Sequence, residues 1–174
     1  MKVVFFGTPE FAVQTLDRLV ASSHEVVRVV SKPDRPVGRR QVTISPPVVE
    51  FARHHGLEVW QPKGLKKDGF ADELAAFDAE VAVVVAYGKI IPEALLEIPR
   101  RGFINLHPSL LPRHRGPSPI QWALVCGDRI TGVTTMQIDA GMDTGPILLQ
   151  RRVEIDPTDP LRIPEQGGIE VRLV

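Results

Sequence analysis

The segment VAVVVAYGKIIPEALLEIPRRGFINLHPSLLP, residues 81–112, decides the fold that we predict for this chain. Its first six residues are the most apolar run in the sequence and predict a buried central strand. A short helix is predicted at 92–97, and FINL at 103–106 predicts a second strand. Two apolar strands joined through a helical crossover indicate parallel pairing, because parallel neighbours need a connection of this kind.

The flanking sequence continues this alternation of strands and helices. Further strands are predicted at 2–6, 25–30, 57–60, 131–138 and 146–153. Helices are predicted after Thr8 (as the N-cap, with Pro9 in the first turn), and at 48–55, 68–77 and 117–126. The last helix is expected to turn Ile120, Leu124 and Val125 inward, and 31–47, with four prolines, is expected to be a long loop.

This order of elements predicts an α/β fold, a Rossmann-like, doubly wound and mostly parallel sheet flanked by helices. The last two strands follow each other without a helix, so one of them can pair antiparallel. Residues from about 161 onward carry a proline, two adjacent glycines and no helical stripe. The helix that normally closes such a sheet is therefore expected to be missing.

Composition limits the functions open to the chain. Its 174 residues fit one domain, 43% hydrophobic content supports a core, and no run is long enough to span a membrane. The single cysteine, Cys126, excludes an internal disulfide and a multi-cysteine metal site, which suits a cytoplasmic protein. Equal numbers of acidic and basic residues, 21 of each, mean that an anionic partner must meet a local patch.

The first candidate site follows the strand at 103–106. Asn105 and His107 are two residues apart, so strand alternation directs both to one side, at the carboxyl end where open α/β sheets place their sites. An asparagine amide can donate to an oxyanion, and a histidine can exchange a proton near neutral pH. A lone histidine at a strand end is usually structural, but the asparagine and the proline-braced segment that follows favour a functional role.

A second polar segment, IDAGMDTG at 138–145, lies between two predicted strands. Aspartate and glycine dominate turns, so an ordinary turn is one interpretation. The functional interpretation directs a carboxylate at His107, where it would stabilise an imidazolium. Spacing alone leaves Asp139 and Asp143 as alternatives for that carboxylate.

Charge is unevenly distributed around these candidates. Residues 98–127 contain no Asp or Glu but four arginines, and residues 28–40 contain five basic residues against Asp34. The predicted site face is therefore cationic and favours an anionic substrate. Gly7 stands alone between a strand and a helix, where a glycine could let a ligand approach the backbone or could form an ordinary turn. No segment of the sequence matches a metal site.

Several motifs together resemble the folate-dependent formyltransferases, most of all the members that act on methionyl-tRNA. They are NLHPSLLPRHRGPSPIQWAL at 105–124, GDRITGVTTMQIDAGMDTGPILLQ at 127–150, FGTPEFA at 6–12, KPDRPVGR at 32–39 and VVAYGKIIP at 84–92. The motifs stand in the family's order and spacing over roughly residues 1–160. The resemblance implies a Rossmann-like domain that uses 10-formyltetrahydrofolate as co-substrate, without a metal, and formylates the α-amine of initiator methionyl-tRNA.

The resemblance also implies site residues. Asn105, His107 and Asp143 match the catalytic residues: Asn105 and protonated His107 would stabilise the oxyanion, and Asp143 would orient His107 and assist proton transfer. The residues that match the folate-binding positions are Ser109, Leu110, Leu111 and Pro112, with Tyr87 and Gly88. Those expected to contact the tRNA are Arg35, Arg39 and Arg40.

The chain also departs from the family. The implied organisation is a catalytic domain at 1–160 that is incomplete at its C-terminus, an atypical tail at 161–174, and no C-terminal β-barrel for tRNA. Pro108 stands where many relatives have alanine and is shared with the purine-pathway branch. Two alternatives therefore stay open: a transformylase for glycinamide ribonucleotide or a sugar-nucleotide amine, and a non-catalytic folate- or RNA-binding remnant. The oligomeric state stays open as well.

Overall fold

A computed structural model of the protein describes residues 1–38, 41–66 and 69–155. The strands are β1 (Lys2–Gly7), β2 (Glu25–Val30), β3 (Arg35–Val37), β4 (Val42–Ile44), β5 (Val59–Trp60), β6 (Val81–Val85), β7 (Phe103–His107), β8 (Ile130–Gln137) and β9 (Ile147–Glu154). The helices are α1 (Glu10–Val20), α2 (Pro47–His54), α3 (Phe70–Ala76) and α4 (Pro119–Val125), with a 3-10 turn at Glu93–Leu95.

Seven of these strands form the main sheet, in the order β5-β2-β1-β6-β7-β8-β9. The pairs from β5 to β7 are parallel, whereas β8 is antiparallel to both β7 and β9. Strand β8 therefore runs against the rest of this sheet, which confirms the mostly parallel prediction. The strand order reverses between β1 and β6, the kind of switch point beside which α/β proteins bind ligands.

Both faces of the sheet are covered, which explains why its central strands are continuously apolar. On one face, Phe5, Leu16 and Val29 belong to a core that α1 and α2 cover. On the other face, Phe6, Leu74 and Phe103 belong to a core beneath α3 and the 3-10 turn. Consecutive residues Phe5 and Phe6 thus enter opposite cores, as strand alternation requires.

Two predictions for the N-terminal part are wrong. Helix α1 has Pro9, not Thr8, at its N-cap, and the Thr8 hydroxyl donates instead to the Tyr87 carbonyl at 3.0 Å. The predicted long loop contains a hairpin in which β3 pairs antiparallel with β4. We call this two-stranded unit the exposed hairpin, because the described side chains of β3 and β4 lie in solvent. Each strand has only three residues and β3 includes Pro36, so neither is long enough to stand out as a strand in the sequence.

The inward face predicted for α4 is also wrong. Pro119 and Ala123 are its buried residues, Ile120 and Leu124 are half-buried, and Val125 is 75% exposed. Residues four apart share a helix face, so this short helix rests on the protein through its small residues. Cys126 follows α4 and is exposed.

Strand β9 forms one edge of the described sheet. Most of its side chains are exposed on both faces, including Leu148 and Leu149. The segment after Ile155 lies outside the described residues. The predictions of an absent closing helix and of an atypical tail at 161–174 both fall in this segment. Arg39 and Arg40 also lie outside the described residues. Across the described ranges, none of the helices has the length and apolar character needed to cross a membrane.

Candidate functional site

The two polar residues of β7 meet a carboxylate from the segment before β9. Asn105 Nδ2 lies 3.5 Å from Asp143 Oδ1, and His107 Nδ1 lies 3.5 Å from Asp143 Oδ2. Both distances are long for hydrogen bonds, so they describe alignment more than tight pairing. The structure nevertheless brings together all three side chains that the sequence nominated, across 38 residues of intervening chain.

His107 is nearly buried, and oxygen atoms face both nitrogens of its ring. Nε2 lies 2.9 Å from the carbonyl oxygen of His114, on the opposite side of the ring from Asp143. A carbonyl can only accept, so Nε2 carries a proton and donates it. The Asp143 carboxylate and the His114 carbonyl therefore fix the orientation of the ring from both sides.

The segment at 139–145 separates the two aspartates that the sequence left as alternatives. Asp139 accepts from the Gly141 N–H at 3.0 Å and from the Thr144 hydroxyl at 2.8 Å, and so closes its own turn. Asp143 adopts a left-handed conformation (φ 52°), which aspartate tolerates better than most residues, and faces the site. Gly145 is needed beside it, because a Cβ there would overlap the Gln137 carbonyl.

Residues 109–116 follow His107, and we call them the braced loop. Ser109 is fully buried, and its hydroxyl donates to the Arg113 carbonyl at 2.7 Å. The buried Thr134 hydroxyl donates to the Ser109 carbonyl at 2.7 Å and accepts from the Leu111 N–H at 3.2 Å. Gln150 Nε2 donates to the Leu111 carbonyl at 2.8 Å and to Thr134 Oγ1 at 3.0 Å. Two strand residues that the sequence did not nominate therefore fix the segment predicted to hold folate.

A third residue missed by sequence reasoning is Asp128. Its two oxygens accept from Arg113 and from His114 Nε2, both at 2.6 Å. The hydrogen bond from His114, more than the charge of Arg113, keeps the pKa of the Asp128 carboxyl below its usual range. A signal was present: Asp128 is the first acid after the acid-free stretch at 98–127.

The Tyr87–Gly88 pair lies in the turn after β6. The Tyr87 ring lies in the core, edge-on to Phe6 with centroids 5.4 Å apart, because apolar packing there outweighs the single hydroxyl. Burial raises the pKa of Tyr87 to about 12. Only backbone atoms of this pair can therefore line a pocket. Gly88 is left-handed (φ 72°), and a Cβ there would collide with the side chain of Lys32.

Lys32 belongs to a group of cations beside this turn. Burial, with the nearby charges of Arg35 and Lys89, lowers the pKa of Lys32. Arg35 itself is exposed at the start of the exposed hairpin. The cationic character predicted for residues 28–40 therefore reaches the same edge of the molecule as the Tyr87–Gly88 turn.

Gly7 has a packing role that the sequence did not separate from a ligand role. A Cβ there would lie 2.6 Å from the Phe5 ring and 3.0 Å from Ala12 of α1. A glycine is therefore required for α1 to approach β1. A cleft of about 480 Å³, lined in part by Gln14, Arg18 and Leu106, opens on the sheet face opposite to Asn105 and His107.

The histidines, the cysteine and the acids of residues 1–38, 41–66 and 69–155 form no metal-binding cluster. No group of three or more His, Cys, Asp or Glu in these ranges is arranged to hold a metal ion. His54 and His55 lie at the end of α2, and the His55 ring stacks on Phe51. They therefore belong to the helix surface.

Comparison with protein families gives a match to the formyl transferase model over residues 1–165. The chain is 51% identical over 157 residues to the methionyl-tRNA formyltransferase of Thermodesulfovibrio yellowstonii, covering 90% of this chain and 51% of that protein. It is 53% identical over 161 residues to the corresponding protein of Thermosynechococcus vestitus, covering 91% and 49%. The chain thus spans about half the length of the curated relatives it matches.

Solved structures share the fold. A glycinamide ribonucleotide transformylase from Geobacillus kaustophilus superposes with a TM-score of 0.72 at 28% identity, covering 91% of this chain and 85% of that one. A phosphoribosylglycinamide formyltransferase from Bacillus halodurans superposes with a TM-score of 0.75 at 24% identity, covering 91% and 82%. The second match, at this identity, speaks for the fold alone.

Proposed function

Because the chain belongs to the formyl transferase family, we propose that it transfers a formyl group from 10-formyltetrahydrofolate to the α-amine of initiator methionyl-tRNA. The observation that carries the proposal is the meeting of Asn105, His107 and Asp143 at the end of β7. Relatives named methionyl-tRNA formyltransferase, identical at about half of the aligned positions, support this acceptor.

The chemistry assigned to the three residues follows from their donors and acceptors. The co-substrate supplies the formyl group, and the amine of the acceptor attacks its carbon. Negative charge then builds on the formyl oxygen, where the Asn105 amide and a proton on His107 Nδ1 can donate to it, since Nε2 is held by the His114 carbonyl. Preorganised donors of this kind commonly contribute about 10²–10³-fold in rate.

Asp143 has two tasks in this proposal. Its Oδ2 faces His107 Nδ1 and would hold the ring in orientation. The same carboxylate can take up the proton that the amine loses, directly or through one water, and return it to the folate nitrogen. The bond from this nitrogen to the formyl carbon then breaks, and tetrahydrofolate leaves. The Gly116 N–H donates to Oδ2 at 2.8 Å and keeps the carboxylate aimed at the site.

The residues around the site fit a folate. Leu110 is half-buried and Pro112 is exposed, so the braced loop offers apolar surface beside the polar triad. The backbone of the Tyr87–Gly88 turn would form the other side of the pocket. The fixed backbone of the braced loop suits recognition of a flat, rigid ring, because little conformational freedom is lost on binding.

The tRNA is assigned to the cationic edge. Arg35 is exposed and is the described residue that we expect to contact phosphate, with Arg39 and Arg40 proposed from the sequence. Lys32 and Lys89 add positive charge close to Arg35. A local patch can thus attract a polyanion to a chain whose net charge is zero.

The glycinamide ribonucleotide alternative is supported by the structural neighbours but not by the start of α1. That helix has Pro9, which has no N–H, at its N-cap, and carries Glu10 in its first turn. An acidic first turn disfavours a phosphate at this helix end. We therefore keep methionyl-tRNA as the proposed acceptor.

The test is single-turnover formyl transfer by the full chain from 10-formyltetrahydrofolate, with binding of the folate measured on the same sample. Methionyl-tRNA and glycinamide ribonucleotide are offered in parallel reactions. Transfer to methionyl-tRNA supports the proposal, and transfer to glycinamide ribonucleotide alone replaces it with the alternative. Folate binding without transfer to either acceptor would favour a binding remnant and contradict the proposal.

A further inference from the structure

Backbone atoms of the braced loop hold both members of the His107–Asp143 pair. The carbonyl of His114 accepts from His107 Nε2 at 2.9 Å, and the N–H of Gly116 donates to Asp143 Oδ2 at 2.8 Å. The direction in which both side chains point therefore depends on where the backbone at 114–116 lies.

This backbone is in an unfavourable conformation that something must hold. His114 is left-handed (φ 53°), which costs a residue with a Cβ about 1 kcal/mol or more. Its ring donates through Nε2 to Asp128 Oδ2 at 2.6 Å, with both side chains mostly buried. The other oxygen of Asp128 meets Arg113 at the same distance, but the Arg113 side chain is largely in solvent.

Asp128 is itself anchored to the main fold. Its N–H donates to the Ala123 carbonyl at 2.9 Å, at the point where the chain leaves α4 and enters β8. A continuous set of contacts therefore runs from the α4–β8 connection through Asp128 and the His114 ring to His107. The ion pair between Asp128 and the exposed Arg113 side chain lies outside this set of contacts, and exposed ion pairs contribute little to stability.

We propose that Asp128 is a positioning residue of the site: through the His114 side chain it fixes the backbone that aims His107 and Asp143. It does not touch the reacting atoms. The effect of Asp128 on the rate rests on the proposed function. Its effect on the His107 ring can be measured without any activity. A misplacement of about 1 Å at a remote position can cost about 10²-fold in rate.

The kinetic test compares Asp128→Ala, His114→Phe and the double variant in the full chain. We expect each single variant to lower the single-turnover rate at saturating folate by about tenfold to a hundredfold. The KM for folate should stay within about twofold, because the interaction lost acts on orientation and not on binding. The double variant should be no slower than the slower single variant, since both changes remove the same contact.

The second readout is the ring of His107, observed by NMR after 15N-histidine labelling, with His107→Gln used for assignment among the five histidines. In the parent chain the Nε2 proton should be protected from exchange by the His114 carbonyl. Asp128→Ala and His114→Phe should speed its exchange about tenfold, the scale of one lost hydrogen bond. Arg113→Gln, which removes the ion pair with Asp128, should leave this proton protected.

The outcomes separate the two hypotheses. If the parent chain does not transfer formyl groups but the His107 proton responds as described, the proposed function fails and the positioning role stands. If Asp128→Ala keeps the parent rate and a protected His107 proton, the positioning role is overturned, even if the variant melts earlier. Should Asp128→Ala not fold, Asp128→Asn, which keeps the shape, is judged by the same two readouts.

Discussion

The braced loop and the exposed hairpin both carry predicted binding residues, yet they are built in opposite ways. In the braced loop, Ser109 is fully buried and hydrogen bonds arrive from Thr134 and Gln150 on neighbouring strands. In the exposed hairpin, Arg35, Val42 and Ile44 all lie in solvent. Gln61 holds the approach to this hairpin through Lys32 and Asp34, before β3 begins.

This contrast matches the two proposed ligands. A group transfer needs its reactants held within a fraction of an ångström, so the segment beside the chemistry is fixed by buried polar contacts. A nucleic acid is recognised at many phosphates over a large surface, where projection and positive charge matter more than a fixed backbone. Changes in the braced loop should therefore alter rate and stability, and changes in the hairpin should alter affinity.

The largest expected effect is that of replacing His107, whose ring is held by the backbone of the braced loop. His107→Ala should lower the single-turnover rate by about 10²–10⁴-fold, the usual contribution of a positioned acid–base group. Folate binding, measured by equilibrium titration, should be largely preserved, because the braced loop remains in place. His54→Ala removes an exposed histidine at the end of α2 and serves as the matched control. A His107→Ala variant with parent turnover would refute the assigned role.

The next effect concerns the stability of the braced loop. Thr134→Val keeps the shape of the side chain but leaves the buried Ser109 carbonyl and Leu111 N–H without their partner. We expect the free energy of unfolding to fall by about 2–4 kcal/mol, as measured by urea denaturation. Thr135→Val, on the other face of the same strand, should change it by less than about 0.5 kcal/mol. Equal effects at both positions would argue against the bracing contacts.

The effect expected in the exposed hairpin is smaller and concerns the affinity for tRNA. Arg35→Gln should weaken tRNA binding several-fold and reduce the slope of log K against log salt by about one, the loss of one phosphate contact. Folate affinity and the rate at saturating tRNA should not change. Arg18→Gln, at the C-terminal end of α1, is a control of equal charge. A salt slope unchanged by Arg35→Gln would mean that this arginine does not meet phosphate.

The smallest effect appears at acidic pH. The folded state lowers the pKa of Asp128, chiefly through the hydrogen bond from His114. The unfolded state therefore binds this proton more readily, so the contribution is present above a pH of about 4 and is lost as pH falls through the folded pKa. Asp128→Asn should flatten the pH dependence of the melting temperature below that point. Parallel curves for the parent and the variant would contradict the shift.

Much of the fold was predictable because short-range patterns determine it. The runs at 2–6 and 81–86 predicted strands within a residue of those observed, since both are mostly buried and almost continuously apolar. The exposed hairpin was missed because each of its strands has only three residues and β3 includes Pro36. Thr8 was misassigned because its hydroxyl finds the Tyr87 carbonyl 79 residues away, a contact that local rules do not contain.

The candidate site, like the fold, could be predicted only in part from local sequence. Asn105 and His107 share a strand, and alternation alone predicted that they face one side. Spacing alone could not choose between Asp143 and Asp139, because each is an acid two residues before a glycine, and only the family resemblance selected Asp143. In the folded turn Asp139 bonds within its own segment and Asp143 faces the site. Thr134 and Gln150 act through contacts with residues 25 and 39 positions distant, so nothing in their immediate sequence marked them. Asp128, whose partner His114 is 14 positions away, was marked only as the first acid after the acid-free stretch.

The thiol at the end of α4 gives this protein a built-in attachment point. Cys126 is the sole cysteine of the chain, is exposed, and lies two residues before Asp128. A maleimide fluorophore placed there would react at one position without any engineered cysteine. Its emission would then report, in real time and during a single turnover, whether the α4–β8 connection moves when folate or tRNA arrives.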